Sequence, residues 1–322
     1  MKAVQINEFG GPEAMKYQDI ADPTPGEGEA LVRIQAAGVN YTDVYSRAGI
    51  NPGPPLPRTI GVEGAGVVAA VGSGVTNIAV GDDVVYCSVN GSYADQALVP
   101  AWRLIKRPAE VDAKAGAAAM LQGMTAHYLC HSTYAVQPGD RVIVQAGAGG
   151  MGLILTQMIK MLGGYVFTTV STEEKAEMSR QAGADHAINY TKEDFAEVVK
   201  EATGGEGVRV VYDGVGKTTF NQSVSCLGRR GVMALYGAAS GNPDPVDPRI
   251  FAAGSLYLTR PGLGDYTVDR TELEQRAGDV LGWVASGQIK LHIDHEIPLA
   301  KAPEAHRLLE SRATTGKLLL IP

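Results

Sequence analysis

The chain has 322 residues, 45% hydrophobic and 20% charged, with a formal net charge of −7. That length accommodates two domains of ordinary size, and the composition is that of a globular enzyme, not a disordered or fibrous chain. The acidic balance argues against nucleic acid or an anionic membrane as partner, since both require a basic footprint. No apolar run approaches the roughly 18 residues needed to cross a bilayer. The opening MKAVQINEFGG lacks the apolar core of a signal peptide, so a cytoplasmic protein is expected. Cys87, Cys130 and Cys226 lie far apart with no CxxC pair. That spacing predicts reduced, buried thiols, with neither a disulfide framework nor a four-cysteine zinc lobe.

The first 120 or so residues are rich in glycine, proline and short β-branched runs such as ALVRIQAAGV, GAGVVAAVGSGV and GDDVVYCSV, separated by the loops PTPGEGE and NPGPPLP. Short strands at turn-rich spacing predict a small antiparallel barrel or sandwich. From about residue 123 the texture changes: a predicted helix, TAHYLCHSTYA, leads through QPGD into alternating strands and helices. The strands read RVIVQA, YVFTTV, HAIN, VRVVYDGV and GVMALYG, and the helices MGLILTQMIKML, EEKAEMSRQA, EDFAEVVKEA and TTFNQSVSCL. This alternation predicts an α/β fold with a doubly wound parallel sheet. After residue 260 a helix (RTELEQRAGDVLGWVAS), a strand near HIDHEIP, a helix (KAPEAHRLLES) and a last strand (KLLLIP) break the pattern and are expected to return to the first domain.

Gly147, Gly149 and Gly152 form G-x-G-x-x-G where a strand closes and a helix opens. The first glycine permits the tight turn, the second the approach of a pyrophosphate, and the third close packing of helix on strand. The helix N-terminus then faces the anion with free N–H groups. About 20 residues on, an NAD site carries an acidic residue for the ribose hydroxyl. The sequence there is TTVSTEEK, so Ser171 and Thr172 occupy the strand end and Lys175 follows one helical turn later. Small hydroxyls with a lysine suit a 2′-phosphate, and NADPH is the expected cofactor.

Two further stretches, AAGVNYTDVYSRAG (36–49) and RTIGVEGAGVV (58–68), resemble the medium-chain dehydrogenase/reductase superfamily. Its zinc alcohol dehydrogenases carry a Cys-His pair in the first and Gly-His-Glu in the second. Asn40, Tyr41 and Val62 stand at those positions here. Valine cannot ligate zinc and asparagine is a poor substitute for a thiolate, so no metal is expected. Without that Lewis acid, the reaction implied is a reduction needing little acid help.

GVNYTDVY, VYDGVG, CLGRRGVM, GSLYLTRP and ESRATTGKLLLIP resemble, more narrowly, the zinc-independent quinone oxidoreductase branch that includes zeta-crystallin. The resemblance implies a Rossmann dinucleotide-binding domain over 125–261 and a GroES-like, β-rich catalytic domain formed by 1–124 and completed by 262–322. It implies reduction of a quinone by electron or hydride transfer from NADPH. It also implies a homodimer whose sheets join through the strand near SLYLTR.

By the same resemblance Asn40, Asp43 and Tyr45 line the nicotinamide end, Thr125 lies near the nicotinamide, and Gly149, Gly150 and Met151 form the pyrophosphate turn. Ser171, Lys175 and Tyr190 surround the adenosine 2′-phosphate, Tyr236 and Gly237 flank the nicotinamide, and Arg312 reaches the cofactor from the C-terminal segment. Asn40, Tyr41 and Tyr45 form the expected catalytic set: Asn40 to hydrogen-bond an acceptor oxygen, Tyr45 to wall the ring, and Tyr41, where relatives often carry phenylalanine, as a tolerated ring substitution that is also the one candidate proton donor. Two alternatives stay open. One is NADPH-dependent reduction of α,β-unsaturated ketones, aldehydes or acyl thioesters, for which Tyr41 would protonate carbon. The other is non-catalytic NADPH binding. His127 and His131, four apart on a predicted helix, are read as packing residues.

Overall fold

The computed structural model describes residues 1–51 and 53–322; Pro52, in the NPGPPLP loop, lies outside the described residues. The chain divides into two units, Met1–Met124 with Thr267–Pro322, and Thr125–Tyr266. The C-terminal segment thus re-enters the first unit at Thr267, not at the expected residue 262.

In the first unit the strand Glu29–Val39 is the organising element, pairing antiparallel with Glu63–Val71 (Ala30↔Val71 through Ala37↔Gly64) and with Gln96–Pro100. Alternation of β-branched and small residues places Ala30, Val32 and Ile34 in the core against Val68, Val84, Tyr86 and Val99. The last strand, Lys317–Ile321, lies antiparallel on the same element (Leu318↔Val39, Leu320↔Ala37) and buries Leu318 and Leu320 in that core. The C-terminal segment therefore completes the sheet whose central strand leads into Asn40. A small sheet of Met15–Asp19, Lys2–Ile6 and Arg58–Thr59 flanks it.

The helix expected to open near Thr125 begins earlier, at Ala113, and runs to Tyr128 before widening into a π-turn over Leu129–Thr133. Asp112 marks its start by accepting the Ala115 N–H at 2.7 Å. The run AKAGAAAMLQGM is apolar around much of its circumference, so it lacks the polar face that announces a surface helix.

The second unit holds the expected parallel sheet, in the order His186–Asn189, Tyr165–Val170, Arg141–Val144, Val208–Asp213, Leu227–Leu235, Tyr257–Thr259. The order reverses between Arg141–Val144 and Val208–Asp213. In open α/β sheets ligands bind outside the strand C-termini at such a switch point.

Candidate active-site and cofactor-site residues

Asn40 follows the strand Glu29–Val39 and precedes the helix Tyr41–Arg47. Its backbone is extended, and Asp43, three residues on, accepts the Asn40 N–H at 2.9 Å. That contact satisfies one of the donors a helix start leaves open. The Asn40 side chain points inward. Its Oδ1 accepts from Lys317 Nζ at 2.7 Å, while Nδ2 donates to Glu63 Oε2 at 2.9 Å and to the Gly38 carbonyl at 3.3 Å. Lys317 Nζ also meets Glu63 Oε2 at 2.6 Å, and Glu63 Oε1 accepts from Leu121 N at 2.6 Å. Lys317 and Glu63 are both buried, at 2% and 0% side-chain exposure, so the charges meet away from water and are compensated by each other and by the amide.

Both Asn40 amide hydrogens are committed internally in this arrangement, so none is directed to an acceptor oxygen. Gly38 makes room for the cluster, since a Cβ there would overlap Glu63 Oε2 and the Ala117 carbonyl. These side chains do not make a zinc site: the ligating atom of Asn40 is taken by the lysine, and Val62 has no donor atom. Among the described residues no three His, Cys, Asp or Glu side chains gather as a metal set.

A second buried chain starts at Asp43, fully buried, whose Oδ2 also accepts from Tyr93 Oη at 3.0 Å. Among the described residues its Oδ1 has no hydrogen-bond partner. Burial pushes the Asp43 carboxyl up to about 7, with the Asn40 N–H and Tyr93 hydroxyl pulling the other way. His306 continues the chain, Nε2 at 3.2 Å from Tyr93 Oη and Nδ1 at 3.0 Å from Arg47 Nη1. Burial and then the Arg47 charge push His306 down to about 3, so the ring is neutral. Arg47 can only donate, which makes Nδ1 the acceptor and Nε2–H the donor to Tyr93. Arg47 also forks onto Glu310 at 3.0 and 2.9 Å, tying the helix Tyr41–Arg47 to the helix Ala302–Ser311.

Tyr41 adds to that tie, its hydroxyl donating to the Leu309 carbonyl at 3.0 Å. Burial raises this hydroxyl above the usual phenol range, against an opposing pull from the Arg312 charge. Tyr45 is half-buried with its ring 6.2 Å from that of Tyr41. Arg312 closes the helix Ala302–Ser311 in the left-handed conformation (φ 58°), a shape usually taken by glycine or asparagine. The structure thus brings Asn40, Tyr41, Asp43, Tyr45 and Arg312 into one neighbourhood of the first unit. Nothing in the sequence marks Lys317, whose cluster partners lie 277 and 254 residues away along the chain.

In the second unit the glycine turn links Arg141–Val144 to the helix Gly150–Met161. A Cβ on Gly152 would overlap the Ala146 carbonyl and Gly147, so the turn folds tightly on itself only with glycine there. Gly149 is the N-cap and has no side chain to satisfy the first N–H groups, which with those of Gly150 and Met151 suit an anion.

Ser171 ends Tyr165–Val170, and Thr172 caps the next helix by accepting the Lys175 N–H at 3.2 Å. Glu173, which would oppose a 2′-phosphate, is paired with Arg180. Tyr190 is anchored beside the same strand end, its N–H donating to the Val170 carbonyl at 3.1 Å. Ser171, Lys175 and Tyr190 therefore surround one strand terminus. Tyr236 and Gly237 follow Leu227–Leu235, their N–H groups 2.9 and 3.3 Å from the Asp213 carbonyl. Thr125 is buried at the first position of this unit. These residues offer the turn, hydroxyls and cation that a phosphorylated dinucleotide requires.

The rings of His127 and His131 lie 4.5 Å apart. All three cysteines are buried and unpaired, and burial pushes each thiol up to about 12.

The alcohol dehydrogenase GroES-like domain matches residues 26–109, and the zinc-binding dehydrogenase domain matches 150–276. A 2-haloacrylate reductase from a Burkholderia species is 43% identical over 99% of this chain and 98% of its own length. Quinone oxidoreductase 1 of Escherichia coli is 42% identical over 99% of both. The crystal structure of Escherichia coli quinone oxidoreductase complexed with NADPH superposes with a TM-score of 0.97 at 41% identity, covering 100% of each chain.

Proposed function

Because the chain belongs to the quinone oxidoreductase family of medium-chain dehydrogenases/reductases, we propose that it reduces a quinone at the expense of NADPH, by electron or hydride transfer. When bound, NADPH supplies the reducing equivalents. Ser171, Lys175 and Tyr190 hold its adenosine 2′-phosphate. Gly149, Gly150 and Met151 take the pyrophosphate on backbone N–H groups, and Thr125, Tyr236 and Gly237 orient the nicotinamide. Tyr45 and Arg312 serve the reacting end and Asn40 acts there by shape, whereas Asp43, fully buried and bonded to the Asn40 N–H and the Tyr93 hydroxyl, fixes the start of the helix Tyr41–Arg47 from within the fold and does not line the nicotinamide end.

One observation carries the substrate class. The Tyr41 hydroxyl hydrogen is committed to the Leu309 carbonyl and both Asn40 amide hydrogens to Glu63 and Gly38. An acceptor reduced beside them receives orientation and exclusion of water, not a proton. Quinones meet that condition, being strong electron acceptors whose reduced oxyanion can leave the site and take its proton from bulk water.

The second reading, reduction of an activated carbon–carbon double bond, is favoured by the similarity to 2-haloacrylate reductase. It needs a proton for carbon, and Tyr41 would have to leave Leu309 to give it. The two are separated by steady-state turnover of 1,4-benzoquinone against a 2-alkenal, in the native protein and in Tyr41→Phe. The expected result is preference for the quinone, with Tyr41→Phe within about twofold, since an ordinary hydrogen bond contributes only about 1 kcal/mol to the fold. Preference for the alkenal, with a drop of about a hundredfold or more in Tyr41→Phe, the lower end of a general acid's usual contribution, would favour the second reading.

The assembly proposed is a homodimer. The strand Tyr257–Thr259 ends the parallel sheet, with Tyr257 and Leu258 59% and 42% exposed, which supports pairing with a second copy. A cytoplasmic location is proposed from three buried, unpaired thiols, the state kept in a reducing compartment. No helix among the described residues is long and apolar enough to cross a membrane.

A further inference from the structure

Beneath the cofactor turns of the second unit runs an unbroken chain of buried side chains that the sequence reading did not single out. Thr169 Oγ1 donates to Gln145 Oε1 at 2.5 Å and accepts the Ala146 N–H at 3.3 Å, and the Thr169 carbonyl accepts the Gly147 N–H at 2.9 Å. Gln145 Nε2 donates to Ser223 Oγ at 3.0 Å, and Ser223 Oγ donates to Asp213 Oδ2 at 2.9 Å. Asp213 Oδ2 also accepts from Thr219 Oγ1 at 2.7 Å, and its Oδ1 gathers the Val215 and Gly216 N–H groups at 2.8 and 3.0 Å. The Asp213 carbonyl in turn holds the N–H groups of Tyr236 and Gly237.

Gln145, Thr169, Asp213 and Ser223 are each no more than 2% exposed. A carboxylate with four donors, buried that deeply, is fully compensated and rigid. The chain begins on the turn that would seat the pyrophosphate and ends on the pair that would flank the nicotinamide. It crosses the sheet at the switch point between Arg141–Val144 and Val208–Asp213.

We infer that Gln145 and Asp213 are positioning residues that lock the pyrophosphate turn to the Tyr236–Gly237 turn, so that a ligand spanning both meets a single preorganised surface. The inference rests on the cofactor reading above and is independent of the acceptor. Its physical content is that severing the chain costs a ligand engaging both turns and spares one engaging only the adenosine end.

The test is equilibrium binding of NADPH and of adenosine 2′,5′-bisphosphate to the native protein, to Gln145→Met, which keeps side-chain length while removing the amide, and to Ser223→Ala, which cuts the same link from the helix Phe220–Ser225. In both variants NADPH affinity is expected to fall about tenfold, the worth of a buried hydrogen bond. Adenosine 2′,5′-bisphosphate affinity should stay within about twofold, at an unfolding temperature close to native. Equal loss of both ligands, or no loss of either, in both variants would overturn the inference. Failure of the native protein to bind NADPH would overturn the cofactor reading and this inference with it, whereas binding without quinone turnover would count against the acceptor class alone.

Discussion

Replacing Lys317 by methionine is expected to destabilise the first unit by about 3–5 kcal/mol, the usual cost of leaving one partner of a buried ion pair alone. The ammonium is the only cation bonded to Glu63 among the described residues, at 2.6 Å, and it also fixes the orientation of the Asn40 amide at 2.7 Å. Without it, Glu63 keeps the Asn40 amide and the Leu121 N–H but remains a carboxylate sealed from water. The thermal transition of that unit should drop on the order of 10 °C. Pairing Lys317→Met with Glu63→Gln should recover much of the loss, because the double variant removes the uncompensated charge instead of stranding it. A single-variant loss below about 1 kcal/mol, typical of an exposed pair, would show that the cluster is wetter than the structure has it.

Lys175→Glu should weaken NADPH binding by about a hundredfold, since it removes one charge-assisted contact and adds a repulsive one, each worth about 1.5 kcal/mol or more. NADH, which lacks the 2′-phosphate, should bind within about threefold of its native affinity. The contrast is read by titrating both coenzymes against the quenching of protein fluorescence. The helix start is suited to this role: Thr172 caps it through the Lys175 N–H, Glu173 is paired with Arg180, and Lys175 follows the strand end by one helical turn. Equal losses for NADPH and NADH would mean that Lys175 supports the helix and not the phosphate.

What could be read from sequence follows from the range over which each feature is encoded. The glycine turn, the strand–helix alternation and the hydroxyl-plus-lysine strand end are written within a few residues of each other, so composition and spacing expose them. Asn40 and Val62, one residue each in short motifs, are equally local signals that the zinc ligands of related dehydrogenases are replaced. What fills their place is not local. Lys317 sits in KLLLIP, which reads only as an edge of a terminal strand, and its partners become neighbours only once that strand pairs with Glu29–Val39. Gln145 and Asp213 were hidden for the same reason: one hydrogen-bond link joins residues 78 positions apart. Sequence alone leaves open whether the Tyr41 hydroxyl is free to give a proton, because its partner, the Leu309 carbonyl, comes from the distant helix Ala302–Ser311. Periodicity also failed where burial erased the polar face, in the alanine-rich start of the helix Ala113–Tyr128.

Whether this chain reduces a quinone with NADPH and its own side chains is decided by one rate. Protein dialysed exhaustively against a strong chelator is mixed with NADPH and 1,4-benzoquinone, and coenzyme oxidation is followed by its loss of near-ultraviolet absorbance. The expected rate is the same before and after chelation, with no gain on adding zinc. Loss of turnover on chelation that zinc restores, or no quinone-dependent oxidation at all, would contradict it.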